Sequence, residues 1–403
     1  MMDKLNKLSR HLAIPFFLVA LLLIGVIVFL NHTHQNAGTL YVKDHSGDRS
    51  AIDPIIISGD ISDQYASTSF EISKGQLNRH TEVSDPPALI TDHYKYIQGW
   101  KKRMDGLDYQ VEGGYTYSVT YIGGRKSSLI NTGLVFQSEN IYSNSLERGL
   151  AKIGDHVYFT VPTSAETTGT NGIYEPSFEE DGTTRTVAEY SLDQNKDGGS
   201  LEVWGLEAVG DKLALILIEN GHPIVQGYDP DSGQLLGNIM LDQTGIKYSG
   251  QYEAFNNDQI LNLVFQKKSV TDFNIRAHKA VWSIDFNSGM KVIDKTNLDY
   301  ETNGQDNFRS RMTMHYQGGQ LYVVYTSTEP RPNDQYYADS YLPIHLLIRV
   351  YKDDQLLYEG EIDSDLNDDF INTTNIPYGQ SFDINSDDYR MFDHLKIQAR
   401  EEE

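Results

Sequence analysis

The sequence predicts an all-β protein placed behind a single apolar N-terminal segment. Apolar runs of four to six residues, bounded by turn formers, recur through most of the chain, as at Val157–Val161, Leu213–Ile218, Leu261–Phe265 and Leu321–Tyr325. Such runs, rich in β-branched and aromatic residues and closed by Gly, Asn, Asp or Pro, mark strands. Thirty-three glycines and twenty-six tyrosines suit many strands joined by tight turns. One long apolar run, Leu12–Leu30, stands apart from this pattern.

That run has nineteen residues and no charge. As a helix rising about 1.5 Å per residue it just spans a hydrocarbon core of about 30 Å. Pro15 falls in its first turn, where a missing N–H costs little. Lys4, Lys7 and Arg10 precede it, and Asn31–Leu40 carries no Lys or Arg. The positive-inside rule then makes residues 1–11 a cytoplasmic tail, residues 12–30 a transmembrane helix, and everything beyond extracytoplasmic. A cleaved signal peptide would have a shorter apolar core and a small-x-small cleavage site. Here Asn31-His32-Thr33-His34 follows, which favours an uncleaved signal-anchor in the cell membrane. Residues 31–50 are polar and read as a linker, and residues 51–403 as the exported domain.

Charge and cysteine content exclude several classes of function. Thirty-three basic against fifty-seven acidic residues give a net charge of −24. Such a surface repels phosphate backbones, so no nucleic acid is expected as a partner. The absence of cysteine removes disulfides, thiolate metal sites and thiol catalysis. It fits a bacterial envelope better than an animal secretory route, where an ectodomain this large usually carries disulfides.

One stretch has helical rather than strand spacing. Ile90, Tyr94, Ile97, Trp100 and Met104 recur every three to four residues, after Asp85-Pro86-Pro87 and before Gly106. It reads as a helical insert near 88–105, packed on the β-domain, with Lys101-Lys102-Arg103 as a solvated tip.

Weak internal repeats organise the remainder. Four segments place a turn before an apolar strand: Gly154-Asp155-His156-Val157, Gly210-Asp211-Lys212-Leu213, Asn257-Asp258-Gln259-Ile260 and Gly318-Gly319-Gln320-Leu321. A looser version starts at Gly59-Asp60-Ile61. A second element joins two strands through a polar turn, at Val225–Leu235, Val281–Met290 and, decayed, Ile348–Leu356, with a longer copy from Glu189 to Gly198. In these turns Asp or Asn accepts backbone hydrogen bonds and Gly takes the positive φ. Aligned on Val157, Leu213, Ile260 and Leu321, the units are spaced by 56, 47 and 61 residues. That period suits four-stranded blades in a six- or seven-bladed β-propeller. Residues 380–398 would lend a strand to the opposite end of the chain. The alternative is tandem β-sandwiches with a boundary near residue 200.

The run Tyr228-Asp229-Pro230-Asp231-Ser232-Gly233-Gln234-Leu235-Leu236 resembles repeats of the quinoprotein-like (PQQ-type) β-propeller superfamily. The resemblance is best over residues 150–360. Those repeats usually carry a tryptophan after the glycine to dock neighbouring blades. Here Gly237 follows Leu236, and the only tryptophans are Trp100, Trp204 and Trp282. The resemblance therefore implies the fold without implying a quinone cofactor.

Candidate chemistry is sparse. Asp193, Asn195 and Asp197, before Gly198, match the first half of a calcium loop, with oxygens at alternate positions able to converge on one cation. Position twelve of that loop is Trp204 rather than a bidentate glutamate, and the competing reading is an ordinary hairpin turn. Asp363–Asp369 and Asp383–Asp388 are acidic runs that read as solvated loops. Twelve histidines are scattered without metal-hydrolase spacing, among them His156, His315 and His394. No motif commits the chain to a reaction. The expected function is a membrane-tethered binding or scaffold protein, an accessory or sensor component partnered with other envelope or membrane proteins. The alternatives are an extracytoplasmic hydrolase or lyase acting on cell-wall material, and a calcium-dependent adhesion module.

Overall fold

The computed structural model describes residues 17–26, 40–62, 66–83, 101–105, 107–113, 116–122, 126–132, 134, 146, 148–179, 182–193, 198–241, 248–268, 275–287, 289–303, 312–328, 342–364, 372–373 and 391–401. Beyond one short N-terminal helix and single 3-10 turns, the described chain is β-structure. The helix covers residues 17–26, and its large side chains, from Phe17 to Val26, are all exposed. Among the described residues no helix is long and apolar enough to cross a membrane. The remainder of the expected span lies outside them.

The chain opens on β1 (Leu40–Gly47) and a 3-10 turn at Arg49–Ile52. The first sheet holds β2 (Ile55–Ser62), β3 (Ala66–Ser73) and β4 (Gln76–Val83), and the second β5 (Lys101–Met104), β6 (Leu107–Gly113), β7 (Thr116–Tyr121) and β8 (Lys126–Asn131). The third comprises β9 (Leu150–Ile153), β10 (His156–Thr160), β11 (Thr170–Glu175) and β12 (Arg185–Ser191). The fourth comprises β13 (Leu201–Val209), β14 (Lys212–Glu219), β15 (His222–Tyr228) and β16 (Leu235–Met240). The fifth comprises β17 (Tyr248–Asn257), β18 (Ile260–Lys268), β19 (Ile275–Asp285) and β20 (Lys291–Asn303). The sixth comprises β21 (Met312–Gln317), β22 (Gln320–Thr328), β23 (Leu342–Lys352) and β24 (Gln355–Ser364), with β25 (Asn372–Thr373) beside β23. Every pairing is antiparallel between chain neighbours, apart from β25 and the two ends of the chain. There β1 pairs with β24 of the sixth sheet, and β26 (Met391–Ala399) pairs with β2 as the first strand of the first sheet.

Alternation of side chains decides how the sheets stack. In β14 the odd residues Leu213, Leu215 and Leu217 join one apolar core with the third sheet, while Ala214, Ile216 and Ile218 join another with the fifth. Likewise Tyr322 and Val324 of β22 face the first sheet, while Leu321, Val323 and Tyr325 face the fifth. A strand buried on both faces reads as a continuous apolar run, which is why these four runs stand out in the sequence. The first strands lie side by side in chain order, β5 on β9, β9 on β13, β13 on β17 and β17 on β21, and β21 packs on β26. The core of the second, third and fourth sheets runs unbroken from Tyr109 to Tyr228, so no domain boundary falls near residue 200.

The repeats fall into register with this plan. The Gly-Asp-type segments are the turns between the first and second strands of the third to sixth sheets, with positive φ at Gly154, Gly210, Asp258 and Gly318. The second element is the third-to-fourth-strand turn. There Asp229 Oδ1 accepts from the Ser232 amide at 2.9 Å and Asp285 Oδ1 from the Asn287 amide at 2.8 Å.

Four expectations need correction. Residues 40–47, expected within the linker, form β1. It is an outermost strand with only Leu40 and Val42 buried, so its polar remainder looks like a tether. Residues 101–104, expected at the end of the helical insert, pair with β6 as β5, because sheet pairing outweighs the local helical spacing; residues 84–100 lie outside the described residues. Gly59-Asp60-Ile61 sits inside β2 and is not a turn. The segment from Glu189 to Gly198 leaves the last strand of the third sheet for the first strand of the fourth, so it is no hairpin turn.

Candidate functional site

The first sheet differs from the third to sixth in having one solvated face, because burial alternates along β2 and β3. In β2 the odd residues Ile55, Ile57 and Ile61 enter the core shared with the sixth sheet, and Phe70, Ile72, Phe392 and Ile397 do so from β3 and β26. The opposite face is polar and open. Strand register sets Asp60 across from Ser69, Ser69 across from His80, and Glu71 across from Asn78. A register shift between Ser58 and Asp60 and a left-handed φ of 51° at His394 turn this histidine toward β2. Its Nδ1 lies 3.0 Å from Asp60 Oδ2. His394, Asp60, Ser69 and His80 thus form one row across four strands.

Two clefts open on this face. The first, about 450 Å³, is lined by Asp60, Glu71, Arg79, His80 and His394 among others. The second, about 840 Å³, lies at the sheet's end, with Ser73, Lys74, Gln398 and Arg400 in its wall. The first is shallow: His80 and His394 side chains are 79% and 77% exposed. Asp60 lies between His394 and Ser69 in the row, the wrong order for a histidine that takes a proton from serine. The face offers mixed charge and hydrogen-bonding groups in two orientations, which suits recognition of a polar surface.

Of the sequence-derived metal candidates, only Asp193 lies among the described residues. The Asp193 amide donates to Ser191 Oγ at 3.1 Å, while Asn195 and Asp197 lie outside the described residues. Among the described residues no group of three or more metal-ligating side chains forms. Asp363 is tied to β1 instead, accepting from the Tyr41 hydroxyl at 3.1 Å and Lys43 Nζ at 3.4 Å, and Asp383–Asp388 lies outside the described residues. His156 meets Glu175 at 2.5 Å beside Arg185. His315 is buried, which holds its pKa below the usual histidine value. The row on the first sheet escapes sequence reading because His394 and Asp60 are 334 residues apart. Only the alternation in ASTSFEIS and in the second half of IIISGDIS announces a solvated face.

No protein-family model matches the chain, and no curated protein sequence matches it. Solved structures similar to it include the WD40 domain of Toxoplasma gondii coronin, at 9% identity and a TM-score of 0.33, over 81% of this chain and 77% of that one. Kuenenia stuttgartiensis hydrazine synthase is similar at 14% identity and 0.32, over 67% and 73%. The β-propeller domain of Vanderwaltozyma polyspora Nup133 is similar at 11% and 0.28, over 64% and 76%. Likenesses this distant carry no weight beside the strand order and packing of the chain itself.

Proposed function

We propose that the chain is a six-bladed β-propeller held in the cell membrane by residues 12–30, and that it serves as an extracytoplasmic binding scaffold. Its role is that of an accessory or sensor component in a bacterial envelope complex. The ring is supported by the succession of first strands and by closure from both chain ends. The anchor is supported by the apolar helix at 17–26, whose large side chains are bare of protein and need a non-polar surrounding. The observation that carries the binding reading is the solvated face of the first sheet, with Asp60, Ser69, Glu71, Asn78 and His80 on it and two clefts along it. A broad face of that kind fits another envelope or membrane protein better than it fits an enclosed reaction. The net charge of −24 keeps nucleic acid out of the partner list.

The hydrolase or lyase reading retains one specific observation, the Asp60–His394 pair inside the first cleft. One experiment separates the two. A photo-crosslinking residue is placed at Ser69 or Asn78 in intact cells, with the exposed Thr186 of β12 in the third sheet as control. The scaffold reading expects a discrete protein adduct from Ser69 and Asn78 and none from Thr186. Equal or absent adducts at all three positions contradict it.

A further inference from the structure

The cations of this acidic chain are mostly held from within. Arg49, Lys152, Arg185, Lys212 and Arg349 each meet a carboxylate at 2.6–2.8 Å. Arg148 donates to the Tyr252 carbonyl at 3.0 Å, and Lys295 Nζ lies 5.7 Å from the centre of the Trp282 ring. The first sheet departs from this rule. Lys74, Arg79, Lys396 and Arg400 make no side-chain ion pair or hydrogen bond with a described residue, and beyond this sheet only the exposed Lys352 is so placed among the described side chains. With fifty-seven carboxylates in the chain, cations left over on one sheet are available to a group the chain does not supply.

Two of them border the cleft of about 840 Å³ at the end of the sheet. Its floor is a row across three strands. Ile56 of β2 stands between Ser73 of β3 and Gln398 of β26, so the backbones of Ser73 and Gln398 are two strand spacings, about 10 Å, apart. Lys74 follows Ser73 on one side, and Arg400 lies beyond Gln398 on the other. The backbone fixes both positions. Lys74 and Gly75 take left-handed φ values of 51° and 66°, and a Cβ on Gly75 would meet Arg49 Cδ at 3.0 Å, so the turn is seated on that side chain. Arg400 extends the pairing with β2, its amide donating to the Pro54 carbonyl at 2.9 Å. Glu401 is the one carboxylate among the residues lining the cleft.

We propose that this cleft binds an oxyanion, a phosphate or carboxylate group carried on a small polar molecule. The Arg400 guanidinium offers a planar fork of donors and Lys74 a point charge, while the Ser73 hydroxyl and Gln398 amide add neutral donors. The volume exceeds what a lone phosphate fills and leaves room for a polar body. The inference rests on the binding reading of the first sheet and names a ligand class for it. That reading has its own test in the crosslinks at Ser69 and Asn78, so either can fail alone.

The full chain in an uncharged detergent is titrated by calorimetry with inorganic phosphate, citrate and dihexanoyl phosphatidylglycerol, in chloride-free buffer at constant ionic strength. Saturable binding of phosphate or citrate is expected. Arg400→Gln and Lys74→Gln should each weaken it at least about tenfold, and Glu401→Gln should tighten it, while Lys352→Gln leaves it unchanged. All four side chains are exposed or half-buried, and unchanged melting temperatures separate lost binding from lost fold. Saturation with the lipid alone assigns the oxyanion to a headgroup rather than a free solute. No saturation with any of the three, full affinity in both Arg400→Gln and Lys74→Gln, or equal loss in Lys352→Gln overturns the site.

Discussion

The hydroxyl of Tyr358, a fully buried residue of β24, donates a 2.7 Å hydrogen bond to Asp44 of β1, 314 residues away. Asp44 also accepts from Arg49 Nε at 2.8 Å and Nη2 at 2.7 Å, and Arg49 reaches the Val42 carbonyl at 2.8 Å. This cluster fastens the N-terminal strand to the last sheet. Removing the hydroxyl with Tyr358→Phe should cost about 1 kcal/mol, read from urea unfolding. The hydrogen bond from Arg49, helped by that from Tyr358, holds the Asp44 carboxyl below its usual pKa. A carboxylate with a lowered folded-state pKa adds stability above its unfolded pKa of about 3.9 and loses it as pH falls through the folded value. Asp44→Asn should therefore narrow the stability difference between neutral and acidic pH.

Deleting β1 tests the same closure more severely. A fragment of residues 51–403 leaves the β24 edge bare and loses Leu40 and Val42, which are 5% and 9% exposed. Burying two such side chains is worth about 3–6 kcal/mol together. Compared with residues 38–403, the shorter fragment should melt lower and associate through its open edge, seen by calorimetry and light scattering. Equal melting of the two would make β1 dispensable.

The core between the fourth and fifth sheets turns on Phe265. Its ring centroid lies 5.9 Å from that of Trp204 and 5.7 Å from that of Trp282. Phe265→Ala should cost about 3–5 kcal/mol. Glu71→Gln, on the wet face of the first sheet, should change stability by less than about 0.5 kcal/mol. Chemical denaturation of both variants provides the contrast.

These residues also mark how far the sequence could be read. The strands buried on both faces, such as Leu213–Ile218, were legible because continuous apolar runs leave little choice of fold. The hairpin turns were legible because Asp229 and Gly233 supply the acceptor and the positive φ that the turn demands. β1 was not legible, since an outermost strand with a polar face has the composition of a linker. At residues 101–104, where the helical spacing ends, pairing of β5 with β6 outweighs local periodicity. The row of His394, Asp60, Ser69 and His80 was hidden because strand pairing, rather than sequence proximity, assembles it.

The apolar segment gives a prediction of its own. The full chain should sediment with membranes and resist alkaline carbonate, while residues 38–403 should stay in the supernatant. Intact mass should show Met1 through Leu30 retained, apart from removal of the initiator. Loss of residues 1–30 from the mature protein would show a cleaved signal and remove the anchor.

The most direct test of the ring joins its ends chemically. Ser58 of β2 stands opposite Lys396 of β26 in the antiparallel register, and directly paired side chains lie about 4.5–5.5 Å apart at Cβ. In a chain without cysteine, the double variant Ser58→Cys/Lys396→Cys should form an intramolecular disulfide under mild oxidation of the native protein. Mass spectrometry should find the two peptides linked, with the melting temperature maintained or raised. Free thiols after oxidation of the folded protein would mean that β26 does not complete the first sheet, and would contradict a ring closed by both ends of the chain.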